Sequence, residues 1–160
     1  MIESGALALL VPHVRSDEES FTALDCAYFT PLGKRSLGGG QAFSIYANVP
    51  GGYRQTINDN LVLILMIETL AGLKDADRIA KIPGVTAIFA ASGDLGNHSG
   101  YKQNDPDYER EINIVPDAAL KAGVRPWRPI PRTARPDFPS LPAGGDGLPL
   151  PAPPQPTRGA

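Results

Sequence analysis

The sequence holds one cysteine, Cys26. A disulfide framework and a thiolate zinc cluster are therefore excluded within the chain. Cys26 falls among apolar residues in an expected helix and is read as a small buried apolar side chain. No apolar run approaches the ~18 residues needed to span a bilayer. The N-terminus lacks a basic start followed by an apolar stretch, so no signal peptide is expected. Fifteen Lys and Arg stand against 17 Asp and Glu, a formal net charge of −2, with no basic stripe. Nucleic-acid binding has no electrostatic support. A soluble, cytoplasmic protein with neither a membrane nor a nucleic-acid partner is expected. Lys34-Arg35-Ser36 and Gly38-Gly39-Gly40 invite a phosphate-loop reading, but the G-x-x-x-x-G-K-[ST] spacing is absent and that reading is rejected.

What the chain does have is an apolar fraction of 42%, enough for a real core. It also has an abrupt change of composition near Val124. Residues 125–160 hold 11 of the 17 prolines. Proline at that density removes backbone donors and disfavours helix and central strand. The expected organisation is one domain over residues 1–124 and a disordered, partly polyproline tail over 125–160.

Within residues 1–124 three short apolar runs stand out: Ala6–Val11, Leu61–Ile67 and Val85–Ala90. Each has strand length and none alternates polar with apolar, as in parallel strands covered on both faces. Helices are expected between and after them. Ser16 and Glu19 have capping-box spacing and open Asp17 to about Ala27. Leu73–Lys81 gathers its apolar residues on one side. Asp105-Pro106 starts a helix running toward Lys121, with a break expected at Pro116. A long glycine-rich loop is expected between Pro31 and Asn60. Strand and helix in this order indicate an α/β fold with right-handed crossovers.

In such folds reacting groups collect where strands end. The second run ends in Glu68 and the third is followed by Gly93-Asp94. Two carboxylates converging in one mouth repel unless a cation or a proton lies between them. Oxygen donors completed by water suit magnesium or manganese. The other reading of the same residues stays open: Glu68 a strand-end surface charge, Asp94 a helix or turn cap. Gly93 is either an ordinary turn glycine or a small residue that lets a substrate reach the backbone N–H. Arg35 is read as anchoring its loop. His13 and His98 are candidate bases without an evident orienting partner, and are read as structural.

Together these residues resemble the HpcH/HpaI aldolase family of the phosphoenolpyruvate/pyruvate-binding barrel superfamily. The matching blocks are GALALLVPHVRSDEE, PLGKRS, MIETLAGLKDADRIAKIPGVTAIFAASGDLG and Gly100-Tyr101. The likeness covers roughly Met1 to Val124. It implies a partial (β/α)8 barrel, about three parallel strands with their helices, truncated at both ends relative to the ~250 residues of a full barrel. It also implies a metal-dependent aldolase that cleaves a hydroxy-oxo acid to pyruvate, or a similar oxo acid, plus an aldehyde. By the same resemblance Glu68 and Asp94 match the metal ligands, and Gly93 and Asp94 match positions that contact the oxo acid. Met66 falls where some members place a substrate-binding glutamine, whose hydrogen bonds a thioether cannot make. Glu3 falls where the family has a carboxylate that supports the catalytic base. The family's base histidine and substrate arginine match positions ahead of Met1. A catalytically incomplete fragment, retaining metal or oxo-acid binding or partner association, is thus the alternative to a working lyase. A lyase acting on coenzyme A esters is a further option with no signature here. Open barrel edges lead to the expectation of homo- or hetero-oligomers.

Overall fold

The computed structural model describes residues 2–38, 40–46, 48–102 and 105–127, with Gln41 and Ala42 described by backbone alone. The expected tail from residue 128 onward lies outside the described residues.

Four strands form one sheet: β1 (Ala8–Val11), β2 (Val62–Ile67), β3 (Ala87–Ala90) and β4 (Arg125–Trp127). They lie side by side in chain order, and every pair is parallel. The described helices are α1 (Asp17–Ala27), α2 (Gln41–Tyr46), α3 (Gly52–Asn60), α4 (Leu70–Ile79), α5 (Ser92–Ser99) and α6 (Pro106–Ala122), after a 3-10 turn at Ile2–Ser4. The three apolar runs each contain a strand, as expected. The resemblance implied about three strands; the described residues hold four.

Local signals explain several boundaries. The Ser16 hydroxyl accepts from the N–H of Glu19 and starts α1. Glu19 does not close a regular capping box: its carboxylate accepts from the N–H and guanidinium of Arg15. Thr69 caps α4 by accepting from Gly72 N–H. Gly72 is required by a close approach, since a Cβ there would stand 2.5 Å from the carbonyl oxygen of Val14. Asp105 caps α6 and Pro106 occupies its first turn.

One face of the sheet carries the core. Leu63, Leu65, Ile67, Ile88 and Ala90 are buried against Leu73, Ala76 and Ile79 of α4 and Ile112 and Val115 of α6. On the other face Leu10 lies in register with Ile64 and Ala87. Leu10 is exposed, and Met66 and Phe89 are only half-buried. Tyr28 ties the amino ends of the strands together, its hydroxyl donating between the carbonyls of Gly84 (2.8 Å) and Leu61 (3.1 Å).

Four expectations are corrected. Arg125–Trp127, expected as the start of the tail, instead form β4, so the sheet takes in three residues past Val124. Among the described residues β4 pairs on one side only, a position at which proline is tolerated, as Pro126 is. Pro116 does not break α6, which runs through it. Pro116 is fully buried where α6 packs on α4, β3 and β4, and that burial offsets the lost backbone bond. The segment expected as loop before β2 contains α2 and α3. In α3 the buried pair Tyr53 and Ile57 has helical spacing, which the glycines and polar neighbours obscured. Cys26 is in a helix but exposed, because α1 turns Ser20, Leu24 and Ala27 inward instead.

Candidate functional site

Three strand exits meet at the carboxyl edge of the sheet. After β1 the chain turns through Pro12 and His13. His13 takes a left-handed backbone (φ 55°), a conformation that costs a non-glycine residue energy and needs local support. The support comes from the next strand. The His13 N–H donates to Oε1 of Glu68 at 2.8 Å, and the N–H of Val14 donates to the carbonyl of Met66 at 3.1 Å.

Glu68 is the first residue past β2 and is 2% exposed. Its Oε1 also lies 3.5 Å from Nδ1 of His13. Among the described residues no Lys or Arg pairs with this carboxylate, and Oε2 accepts no hydrogen bond. A buried carboxylate so placed is expensive unless a positive charge comes to it.

The third exit carries the chain from β3 into α5. The N–H of Ala91 donates to the carbonyl of Ile67, so this exit starts beside that of β2. Helix α5 opens at Ala91 without a side-chain cap. Asp94 sits in its first turn and is exposed. A Cβ at Gly93 would meet no chain atom within 4 Å, so packing does not demand the glycine. The carbonyl of Asp94 accepts from Nδ1 of His98 at 2.8 Å. The rings of His98 and His13 face one another edge-on, 6.5 Å apart.

The structure therefore brings Glu68 and Asp94 to the exits of adjacent strands, together with both histidines. Among the described residues no three His, Cys, Asp or Glu side chains stand close enough together to hold an ion by themselves. Two carboxylates completed by water and a substrate are a donor set that magnesium and manganese accept. Met66 is half-buried in β2, on the sheet face away from the main core. Glu3 lies elsewhere, on the turn leading into the amino end of β1, 3.7 Å from a guanidinium nitrogen of Arg35. Arg35 also covers the ring of Phe29, and its N–H donates to the carbonyl of Tyr28; it anchors its loop as read. With Asp25, Cys26, Lys34 and Ser36 these two residues line an open groove of about 360 Å³. Sequence reasoning missed the engagement of His13 with Glu68. No motif announces it, since 55 residues separate the two.

A sheet assembled in chain order from successive parallel βα units, with polar groups gathered where the strands end, is a segment of a (β/α) barrel. The chain belongs to the HpcH/HpaI aldolase/citrate lyase family, whose model matches residues 1–125. Among its relatives, 2-dehydro-3,6-dideoxy-6-sulfogluconate aldolase of Pseudomonas putida is 32% identical over 114 residues, 70% of this chain and 44% of that protein. Hydroxypyruvate/pyruvate aldolase of Agrobacterium fabrum is 30% identical over 120 residues, 75% of this chain and 44% of that protein. The solved HpcH/HpaI aldolase from Desulfitobacterium hafniense superposes with a TM-score of 0.73 at 26% identity, covering 83% of this chain and 52% of that one. The chain thus spans less than half the length of these two curated relatives. Among the described residues no helix is long and apolar enough to cross a membrane.

Proposed function

We propose that the chain carries the metal- and oxo-acid-binding part of a carbon–carbon lyase that cleaves a hydroxy-oxo acid into pyruvate, or a similar oxo acid, and an aldehyde. The observation that carries this reading is Glu68: a carboxylate 2% exposed, at a strand exit, with no basic partner except the ring of His13 among the described residues. Relatives named as aldolases support the reaction class.

Glu68 and Asp94 hold a divalent cation, magnesium or manganese. When bound, the cation supplies positive charge beside the oxygens of the oxo acid, which gain negative charge as the carbon–carbon bond breaks. The His13 N–H fixes one oxygen of Glu68. The uncapped first turn of α5 offers N–H groups to the substrate carboxylate, as helix N-termini do for anions. Gly93 leaves that approach open, and Met66 lines the sheet beneath it. Glu3, paired with Arg35 before the amino end of β1, stands apart from these residues and takes no part in holding the ion.

Pyruvate release from a hydroxy-oxo acid, followed with and without Mn2+, tests this. Metal-dependent turnover that Glu68→Ala abolishes is the expected result; turnover insensitive to both metal and Glu68 overturns it. A second reading is binding of metal and oxo acid without turnover, in keeping with the exposure of Asp94 and the lack of a third ligating side chain among the described residues. Metal binding without product would select it.

A further inference from the structure

We propose that Tyr108 is a positioning residue for the oxo-acid site. From α6 it holds the first turn of α5, so that the N–H groups of that turn keep a fixed place without being spent on a cap. This rests on the proposed function and names the residue that sets its third strand exit.

A helix start leaves its first N–H groups without partners inside the helix, and a side-chain cap takes up one of them. Helix α5 has no such cap. An uncapped turn is less stable, yet a turn that receives a carboxylate must be held still with its N–H groups open. Tyr108 meets both demands. It is fully buried, and its hydroxyl donates to the carbonyl of Ser92, the first residue of α5, at 2.6 Å across 16 residues of chain. The acceptor is a carbonyl, so this bond consumes no N–H of the turn. The Tyr108 ring lies along Gly96, where a Cβ would stand 3.2 Å from Cε2 of the ring and 3.2 Å from the carbonyl oxygen of Tyr101. The glycine lets α5 close onto the ring. Tyr108 is itself well fixed. It stands in the first turn of α6, which Asp105 caps, and Ile112 and Val115 of the same helix are buried in the core. The placement of α5 is thereby tied to that of α6.

The test uses the full chain. Tyr108→Phe keeps the ring against Gly96 and removes only the hydroxyl. In the metal-free protein, hydrogen exchange over residues 92–99 should quicken about fivefold, the scale of one lost hydrogen bond. Pyruvate affinity in the presence of Mn2+, read by calorimetry, should weaken by about the same factor. Tyr28→Phe is the control, since it strips a buried hydroxyl from the amino ends of the strands instead. It should lower the urea midpoint yet leave pyruvate affinity within about twofold. Gly96→Ala is read beside them: its methyl presses on the Tyr108 ring with the hydroxyl in place, and it too should weaken pyruvate. Unchanged exchange and pyruvate affinity in Tyr108→Phe, or an equal loss of affinity in Tyr28→Phe, with Glu68→Gln still abolishing binding, overturns the role of Tyr108 alone. Binding of Mn2+ and pyruvate that survives Glu68→Gln, or that the parent lacks, overturns the proposed function and this inference with it.

Discussion

The backbone N–H of His13 donates to Oε1 of Glu68 at 2.8 Å, joining the exit of β1 to that of β2 across 55 residues of chain. The bond pins a carboxylate that is otherwise buried without a permanent positive charge beside it. The first expectation follows from that imbalance.

Glu68→Gln keeps an acceptor for the His13 N–H and removes the charge. The metal-free variant should be at least as stable as the parent, because an amide is cheaper to bury than an unpaired carboxylate. Saturating Mn2+ should raise the melting temperature of the parent, by about 2.7 kcal/mol of stabilisation at a hundredfold excess over Kd, and leave the variant unmoved. Differential scanning calorimetry with and without Mn2+ checks both halves.

Gly93→Ala separates binding from folding. A methyl group there meets no chain atom within 4 Å, and the position is helical. Stability to urea should hold or rise by about 0.5–1 kcal/mol. Pyruvate affinity in the presence of Mn2+, measured by calorimetry, should fall, because the methyl occupies the approach to the first turn of α5. Unaltered affinity would remove Gly93 from the oxo-acid contact.

Tyr28 supplies a pH dependence. Burial raises its phenol above the ordinary value of 10.0, outweighing a hydrogen bond with Thr86 that lowers it. Below that ordinary value the phenol is neutral whether the chain is folded or not, and its contribution is complete. Above it, the unfolded chain loses a proton that the folded chain retains, so stability falls as pH rises. Urea midpoints between about pH 9 and 11 should therefore drop more steeply for the parent than for Tyr28→Phe. At pH 7 the same variant should be less stable by about 1 kcal/mol, having lost its bonds to Leu61 and Gly84.

Ser16→Ala tests the helix start. It removes the acceptor for the N–H of Glu19 and should cost about 1 kcal/mol in chemical denaturation. Ser16→Asp, which restores an acceptor, should recover most of it.

The likeness of MIETLAGLKDADRIAKIPGVTAIFAASGDLG to its family identified the family and pointed to the two carboxylates as its expected metal ligands. The apolar runs gave three strands, because side chains buried on both faces of a parallel sheet leave no alternation to misread. The caps at Ser16 and Asp105 were equally plain, since their partners lie within three residues. The fourth strand, the course of α6 through Pro116 and helix α3 were not legible. Each is decided by what packs against it: pairing on one side among the described residues for Pro126, the sheet and α4 for Pro116, the aromatic and aliphatic core for Tyr53 and Ile57.

The sequence by itself thus determined the residue types at the strand ends, because those are local. Only the tertiary structure decided that His13 meets Glu68, that Glu3 pairs with Arg35, and that Cys26 faces solvent. Those outcomes depend on how parallel strands come into register and which side of each helix turns inward, and neither is encoded in a short window of residues.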